Sequence, residues 1–582
     1  MGPPGSVDAG SVTGPLYWTA TGGTTSRSAQ DRSADIANVL DFGAGPAQTT
    51  NSTAAFRAAL ATGRNVFVPR GTYLITGQVT LSISQQAQTF YGEGNSSVLL
   101  IDTRFDPSVT TGVITFTSTS QSLLQPVIRD LAIKFVQPSD LITTTTAASA
   151  AGTNTITVAS TVGIVVGMSV VCQTHRDAIP TKCYFTAKNA ATVTAIVGNV
   201  ITLSVSVIAP GISNGDVVQF ASVRSMFRTL AAGGTAGPGG TGVKYPWAIY
   251  APVADMVLLE RVMIIDAWDG IWLRGSSSFH IGTVFVGAFD VGLDIDECYN
   301  FPSIIDFSFW LWGYWPGAGP LSASRDAFSA TYYDGQTICA NIGRVDGLCA
   351  YNLQTWTGIV NLTPNCGGGY FHNLMLDGDN ANLNVLCSSG PTQITGGYTS
   401  KGTTTIGVSI FVNTVAGATT TFSHFNFSGA SPTDSGVVVQ NGRLAISDSD
   451  VFNGQQGVAP YFAAHNNSSL FLRGMRLDAG GGGIPSYVVL TDTATLRMSD
   501  CAFLRDVTGL VDQTYYAVSG TANTPVSLDN NTLNGWHVNL PAGKNNWLPV
   551  SPSYANDAAA AAGGVQIGQE YRNGSAKMVR VT

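Results

Sequence analysis

Three carboxylates fall close together at Asp294, Asp296 and Glu297, and Trp272 and Arg274 precede the first two by 22 residues. Hydrolysis of a glycosidic bond needs two carboxyl groups, about 5–5.5 Å apart for retention and about 6.5–9.5 Å apart for inversion. Alternate residues of a β-strand stand about 6.6 Å apart, from a rise of ~3.3 Å, and neighbouring strands lie ~4.8 Å apart. A strand that turns Leu293 and Ile295 inward turns Asp294 and Asp296 outward at a spacing suited to acid–base work. If the segment Ile271–Arg274 lies beside it in register, Trp272 stacks over Asp294 and Arg274 over Asp296. Asp266, Trp268, Asp269 and Asp290 lie one turn away in the same two segments. The aromatic run from Phe307 to Trp315 follows and carries Trp310, Trp312 and Trp315. Acids in different surroundings split into proton donor and acceptor, and aromatic rings are amphipathic anchors that suit the apolar faces of sugars. This reading makes Asp294 and Asp296 catalytic, with Glu297, Asp269 and Glu260 as substitutes. It makes Trp268, Trp272, Arg274, Trp310, Trp312 and Trp315 substrate-binding.

Blander readings fit the same residues. Asp294, Asp296 and Arg274 also suit a surface ion-pair ladder, and the tryptophans also suit a packed loop or an interface between chains. Asp377 and Asp379 read as turn residues; Asp448 and Asp450 read as a turn or a ladder. His280 and His372 begin strands and read as structural. A calcium role for Asp294, Asp296 and Glu297 lacks an EF-type loop, and neither a metal nor a cofactor is expected.

The elements that must position such a patch are strands. Of 582 residues only 11% are charged and 66 are Gly, with 4 Glu and 7 Lys against 32 Asp. Glu and Lys favour helices, whereas Gly, Asn, Asp and Thr favour turns and strands. The composition is too apolar for a disordered chain. A net charge of -8 argues against a nucleic-acid backbone as partner, and no run of ~20 apolar residues suggests a membrane span. The start of the chain has neither a basic nor an apolar leader, so no signal peptide is expected. The eight Cys form no CxxC pair and read as buried thiols, with Cys172–Cys183 open as a pair.

Along the chain, residues 1–35 are small and polar, with a short helix expected around Ser26–Asp35. Residues 36–140 contain an amphipathic helix at Asn51–Leu60, with a Ser/Thr cap, and a strand–turn–strand at Asn65–Ile75. Residues 141–221 alternate Thr, Ala and Val in short strands, which predicts an inserted small β-barrel or sandwich. From 222 to 545 a marker of Gly followed by aliphatic alternation recurs, most clearly at Gly270 and Gly292. A second marker, a polar turn before a strand, recurs at Arg344–Leu348, His372–Leu376, Ser423–Phe427, Arg473–Leu477 and Asp529–Leu533. Repeats of ~20–30 residues with several short strands predict a parallel β-helix, whose coils bury their apolar faces only by stacking. Residues 307–337 are expected to form an aromatic loop, and 546–582 a linker and a hairpin around Asn573-Gly574.

Val39–Ala44, the Ala54–Leu60 helix and Val66–Tyr73 resemble the amino-terminal signature of the pectate-lyase-like superfamily. Ala20–Arg32 and Tyr571–Val581 resemble the corresponding segments of phage tailspikes. The resemblance implies an all-β, right-handed parallel β-helix. It also implies a homotrimeric virion protein, extracellular after release, that attaches to a tail or baseplate protein through residues 1–35 and binds a bacterial surface polysaccharide. The polygalacturonase and pectate-lyase motifs are absent, so no family residue carries over. Hydrolysis of capsule or O-antigen is the leading expectation. A non-cleaving glycan-binding spike and a polysaccharide lyase stand as alternatives.

Overall fold

In the computed structural model the described residues are 17–19, 23–28, 31, 35–83, 88–118, 125–137, 141–173, 192–207, 209, 211–221, 243–253, 256–275, 278–300, 302–309, 337–356, 358–377, 382–387, 390–400, 408–414, 418–428, 435–452, 460–478, 486–504, 516–521, 526–534, 536–539, 556–562, 570–573 and 576–579. The chain divides into two units, residues 1–332 and 333–582.

In the first unit, short strands pair in parallel with strands one coil later. One inward column runs Val66, Phe90, Ile128, Leu259, Ile281 and Ile304, each in register with the next. All six are fully buried. This is the stacking that a parallel β-helix requires, and crossovers between parallel strands are right-handed in nearly all proteins. The helix Thr53–Ala61 buries Ala55, Phe56, Ala59 and Leu60, one face of a 3.6-residue period. Its Phe56 meets Tyr73 and Phe90 edge-on at 5.5 and 6.0 Å. The expected Ser cap is replaced: Ser52 is buried and its hydroxyl accepts from Gly45 N–H, while Asn51 Oδ1 accepts from Thr53 N–H. The expected helix at Ser26 starts as a strand, Ser26–Ser28, antiparallel to Tyr17–Thr19.

Ile128 and Leu259 are neighbours in space, although more than a hundred residues separate them. The intervening chain holds two three-stranded antiparallel sheets. Leu141–Thr144, Ser169–Gln173 and Val217–Ala221 form one, and Thr155–Thr157, Val193–Val197 and Val200–Leu203 the other. They enclose their own core, including Ile156, Val158, Ile201, Val218 and Phe220.

The second unit repeats parallel coils with an in-register backbone corner. Asn352, Asn373, Gly396, His424, Asp448, Gly474, Asp500 and Asn530 all have positive φ and occupy corresponding corners of successive coils. Only Gly adopts this left-handed conformation freely, and Asn and Asp tolerate it best. Four of the polar-turn markers, at His372, Ser423, Arg473 and Asp529, are these corners. Behind them Phe422, Phe425, Phe427, Phe462, Tyr461, Tyr487, Phe503 and Trp536 form a continuous buried aromatic spine. Near the carboxyl end Glu570–Asn573 and Ala576–Val579 pair as a hairpin. Cys298, Cys339, Cys366, Cys387 and Cys501 are buried thiols, and Cys349 is half-buried. The Cys172 side chain and Cys183 lie outside the described residues.

His424 is exposed and left-handed, which isolates the backbone term from packing. His424→Gly should leave the melting temperature unchanged or raise it. His424→Val should cost about 1–2 kcal/mol, read by thermal or denaturant unfolding.

Candidate active site

The site is built on two long neighbouring strands of the first unit, Val257–Arg274 and Val284–Asp296. They pair in parallel, and the register places Trp272 beside Asp294 and Arg274 beside Asp296, as the 22-residue repeat predicts. Ile271 and Leu293 point inward on Ile249 and Ile114, so the alternate residues face out. Gly270 is required here, because a Cβ would lie 2.3 Å from the Gly292 carbonyl oxygen.

Between Ile264 and Asp269 the register slips twice. Asp266 turns left-handed, and on the partner strand Phe289 and Asp290 together oppose Trp268. Such bulges re-aim side chains. Alternation fails across Asp266–Ile271, where every residue is buried. The consequence is a carboxyl cluster that strand alternation alone does not produce. Asp269 is only 8% exposed. Burial and the neighbouring Asp290 and Asp294 carboxylates push it up to about 8, against the pull of Lys244 and the Val291 N–H. Burial also raises Asp290, opposed by Lys244 and by the Trp268 indole N–H. At neutral pH Asp269 therefore keeps its proton.

Lys244 enters from the returning end of the insertion. Gln137 holds that end: its side chain bonds both backbone groups of Val243 and the Asp266 carbonyl. The Tyr245 hydroxyl donates to the Val136 carbonyl. Lys244 Nζ then lies 6.0 Å from the centre of the Trp268 ring.

An aromatic stack adjoins the acids. Tyr250 and Trp272 are parallel, with ring centres 4.3 Å apart and planes 4° apart. The Arg274 guanidinium sits 4.8 Å from the Trp272 ring centre and 3.8 Å from Asp294. Tyr250 lies 22 residues before Trp272, so the repeat carried a signal for it that the sequence reading missed. Asp290 and Lys244 were not assigned either; nothing in the local pattern announces the bulge or the return of the insertion.

Other expected site residues fall elsewhere. Trp268 is fully buried, beside Lys244 and Asp290, and offers no ring to a sugar. Glu260 precedes two left-handed corners, at Arg261 and Asp266, that separate it from Asp269. It pairs with Arg261, which also binds Asp130. Glu297 is an exposed left-handed turn residue whose N–H donates to the Asp296 carboxylate. Trp310, Trp312 and Trp315 lie outside the described residues. The aromatic segment itself begins as a strand: Phe307 and Phe309 are buried and pair with Val284 and Val286. His280 bonds Ser303, Asp377 accepts from Tyr398, and Asp450 lies 3.9 Å from Arg476.

Residues 36–184 match the model of a family described as rhamnogalacturonase A/epimerase, pectate lyase-like. No curated protein matches the chain. Among solved structures it is similar to the tailspike protein gp49 from Pseudomonas phage LKA1, with 12% identity, 84% of each chain covered and a TM-score of 0.36. It is also similar to the catalytic unit of a GH87 alpha-1,3-glucanase from Streptomyces thermodiastaticus, with 12% identity, 87% of this chain and 70% of that one covered and a TM-score of 0.40. A third is the Gp54 tailspike of Acinetobacter baumannii bacteriophage AP22, in complex with A. baumannii capsular saccharide. It has 10% identity, 91% and 78% coverage and a TM-score of 0.31. The pectate-lyase-like family match thus rests on residues 36–184, the first coils and the first part of the insertion, and the acid cluster lies beyond it.

Proposed function

We propose that the chain is a tailspike-type protein that binds a bacterial surface polysaccharide and hydrolyses it at the Asp269–Asp290–Asp294 cluster. The observation that carries the reading is a buried carboxyl group beside two further carboxylates, which with burial push it up to about 8, next to a half-buried aromatic–arginine shelf. A glycosidase needs this division of labour. Asp269 is the general acid and delivers its proton to the leaving glycosidic oxygen. Asp294, on the more open side and beside Arg274, activates water. Trp272, stacked on Tyr250, carries a sugar face. The pairing thus moves from Asp294/Asp296 to Asp269/Asp294, since Asp296 sits over Arg274 at the turn. Lys244 and Arg274 offset part of the negative charge. The amino-terminal segment as a virion anchor and a trimeric assembly belong to the same proposal, on the tailspike resemblance of residues 20–32 and 571–581.

Polysaccharides from a panel of bacterial hosts, assayed for new reducing ends and for the ultraviolet absorbance of an unsaturated sugar, test the reaction. Reducing ends without that absorbance are expected. Asp269→Asn and Asp294→Asn should each lower cleavage about 10²–10⁴-fold, with Asp296→Asn within about tenfold of the parent. Undiminished cleavage by Asp269→Asn would remove the assignment, and retention of polymer without cleavage would leave a spike that only binds.

The pH profile should fall on the alkaline side near pH 8, where Asp269 loses its proton. An acid limb above the ordinary carboxylate range would reassign the base to Asp290, which burial raises.

The same shift acts on stability. Between about pH 4 and pH 8 the unfolded chain has released this proton and the folded chain has not, so folding loses stability as pH rises through that window. Asp269→Asn removes this loss. Its melting temperature relative to the parent should climb from pH 4 to pH 8 and then level; a constant difference would contradict the buried neutral acid.

A further inference from the structure

The outward face of the second unit carries an aromatic pair. Tyr351 and His372 lie in register on adjacent coils. Their rings stack at 4.7 Å with planes 9° apart. Tyr370 stands two residues before His372 on the same strand, diagonal to Tyr351. Tyr351 and Tyr370 are 43% and 42% exposed, unusually open for large rings in the middle of a sheet. Below them the columns continue as Gln393 under Tyr370 and as Thr395 and Ser423 under His372. The tile is two residues wide and four coils tall, about 14 Å at ~4.8 Å per coil. It offers part-exposed aromatic rings, hydroxyls and an amide, and none of these six residues is a carboxylate, a lysine or an arginine.

We infer that this tile is a second glycan site that holds an uncharged stretch of polysaccharide without cutting it. The inference rests on the reading of the chain as polysaccharide-binding. The exposed tyrosine rings suit the apolar surfaces of pyranose rings, as amphipathic aromatic anchors do at other wet interfaces. The hydroxyl and amide columns suit sugar hydroxyls. The lack of charge argues against an acidic polymer, since no cation stands in the tile to meet one, and the lack of an acid pair forbids hydrolysis there. A chain held at such a site stays bound to the protein after a cut made elsewhere.

Affinity electrophoresis of the full chain in gels containing dextran, mannan or a β-glucan tests this, with polygalacturonate as the acidic control. At least one neutral polymer should retard the protein. Tyr351→Ala/Tyr370→Ala should weaken that retardation roughly tenfold, about 1.4 kcal/mol. Tyr351→Phe/Tyr370→Phe should keep it, because the ring faces remain. Trp272→Ala should keep it too, which separates this site from the sugar shelf beside the proposed catalytic acids. Retardation by polygalacturonate alone or by none of the neutral polymers would overturn the inference. So would binding unchanged in the double alanine variant, or a change in its mass in solution, which would make the tile a contact between chains.

Discussion

Parallel hydrogen bonding between one coil and the next is the interaction on which the rest depends. No coil can pair its own backbone groups or bury its own apolar residues; both needs are met by the coil above and below. Register follows, because a slip of one residue would turn every inward side chain out. The column from Val66 to Ile304 shows the consequence. Six residues from distant parts of the chain become one strip of core. The same constraint explains why the insertion is tolerated: Ile128 meets Leu259 as if nothing lay between them. Closing a longer loop costs only slowly more entropy, and the inserted sheets bring their own core.

The acid cluster is a local departure from that order. Regular stacking makes the outward column of Tyr250, Trp272 and Asp294, a shelf with ordinary alternation. Two bulges then break the alternation and press Asp269 and Asp290 into the wall of the coil. Burying a carboxyl opposes its ionisation, and a second carboxylate nearby opposes it further. Asp269 responds by keeping its proton. Lys244 limits the effect from the other side, and it does so because Gln137 ties the end of the insertion to the bulge. The returning end of the insertion is therefore held at the site by Gln137, with Tyr245 tied to Val136 beside it, although its sheets are built independently.

Much of the fold was legible. The polar-turn marker read as a periodic feature, and its physical cause is the left-handed corner that Asn, Asp and Gly accept. His424 widens that code, since histidine, which also enters the left-handed region more readily than most residues, occupies the same corner. The 22-residue repeat was enough to pair Trp272 with Asp294 and Arg274 with Asp296, and it also pointed to Tyr250. It could not assign Trp268 or Glu260. Trp268 was expected to bind sugar and is fully buried, and Glu260, expected as a substitute acid, is separated from Asp269 by two corners.

What the sequence determined by itself was therefore whatever depends on a residue and its near neighbours. That includes strand periodicity, the polar corners, the close Gly270–Gly292 approach and the spacing of the coils. Tertiary structure alone decided the protonation of Asp269. That state is set by burial and by charges from two separate places, Asp290 and Asp294 on the next coil and Lys244 at the far end of an insertion. Electrostatic and desolvation terms depend on distances in space, and here the groups that matter become neighbours only when the coils have stacked.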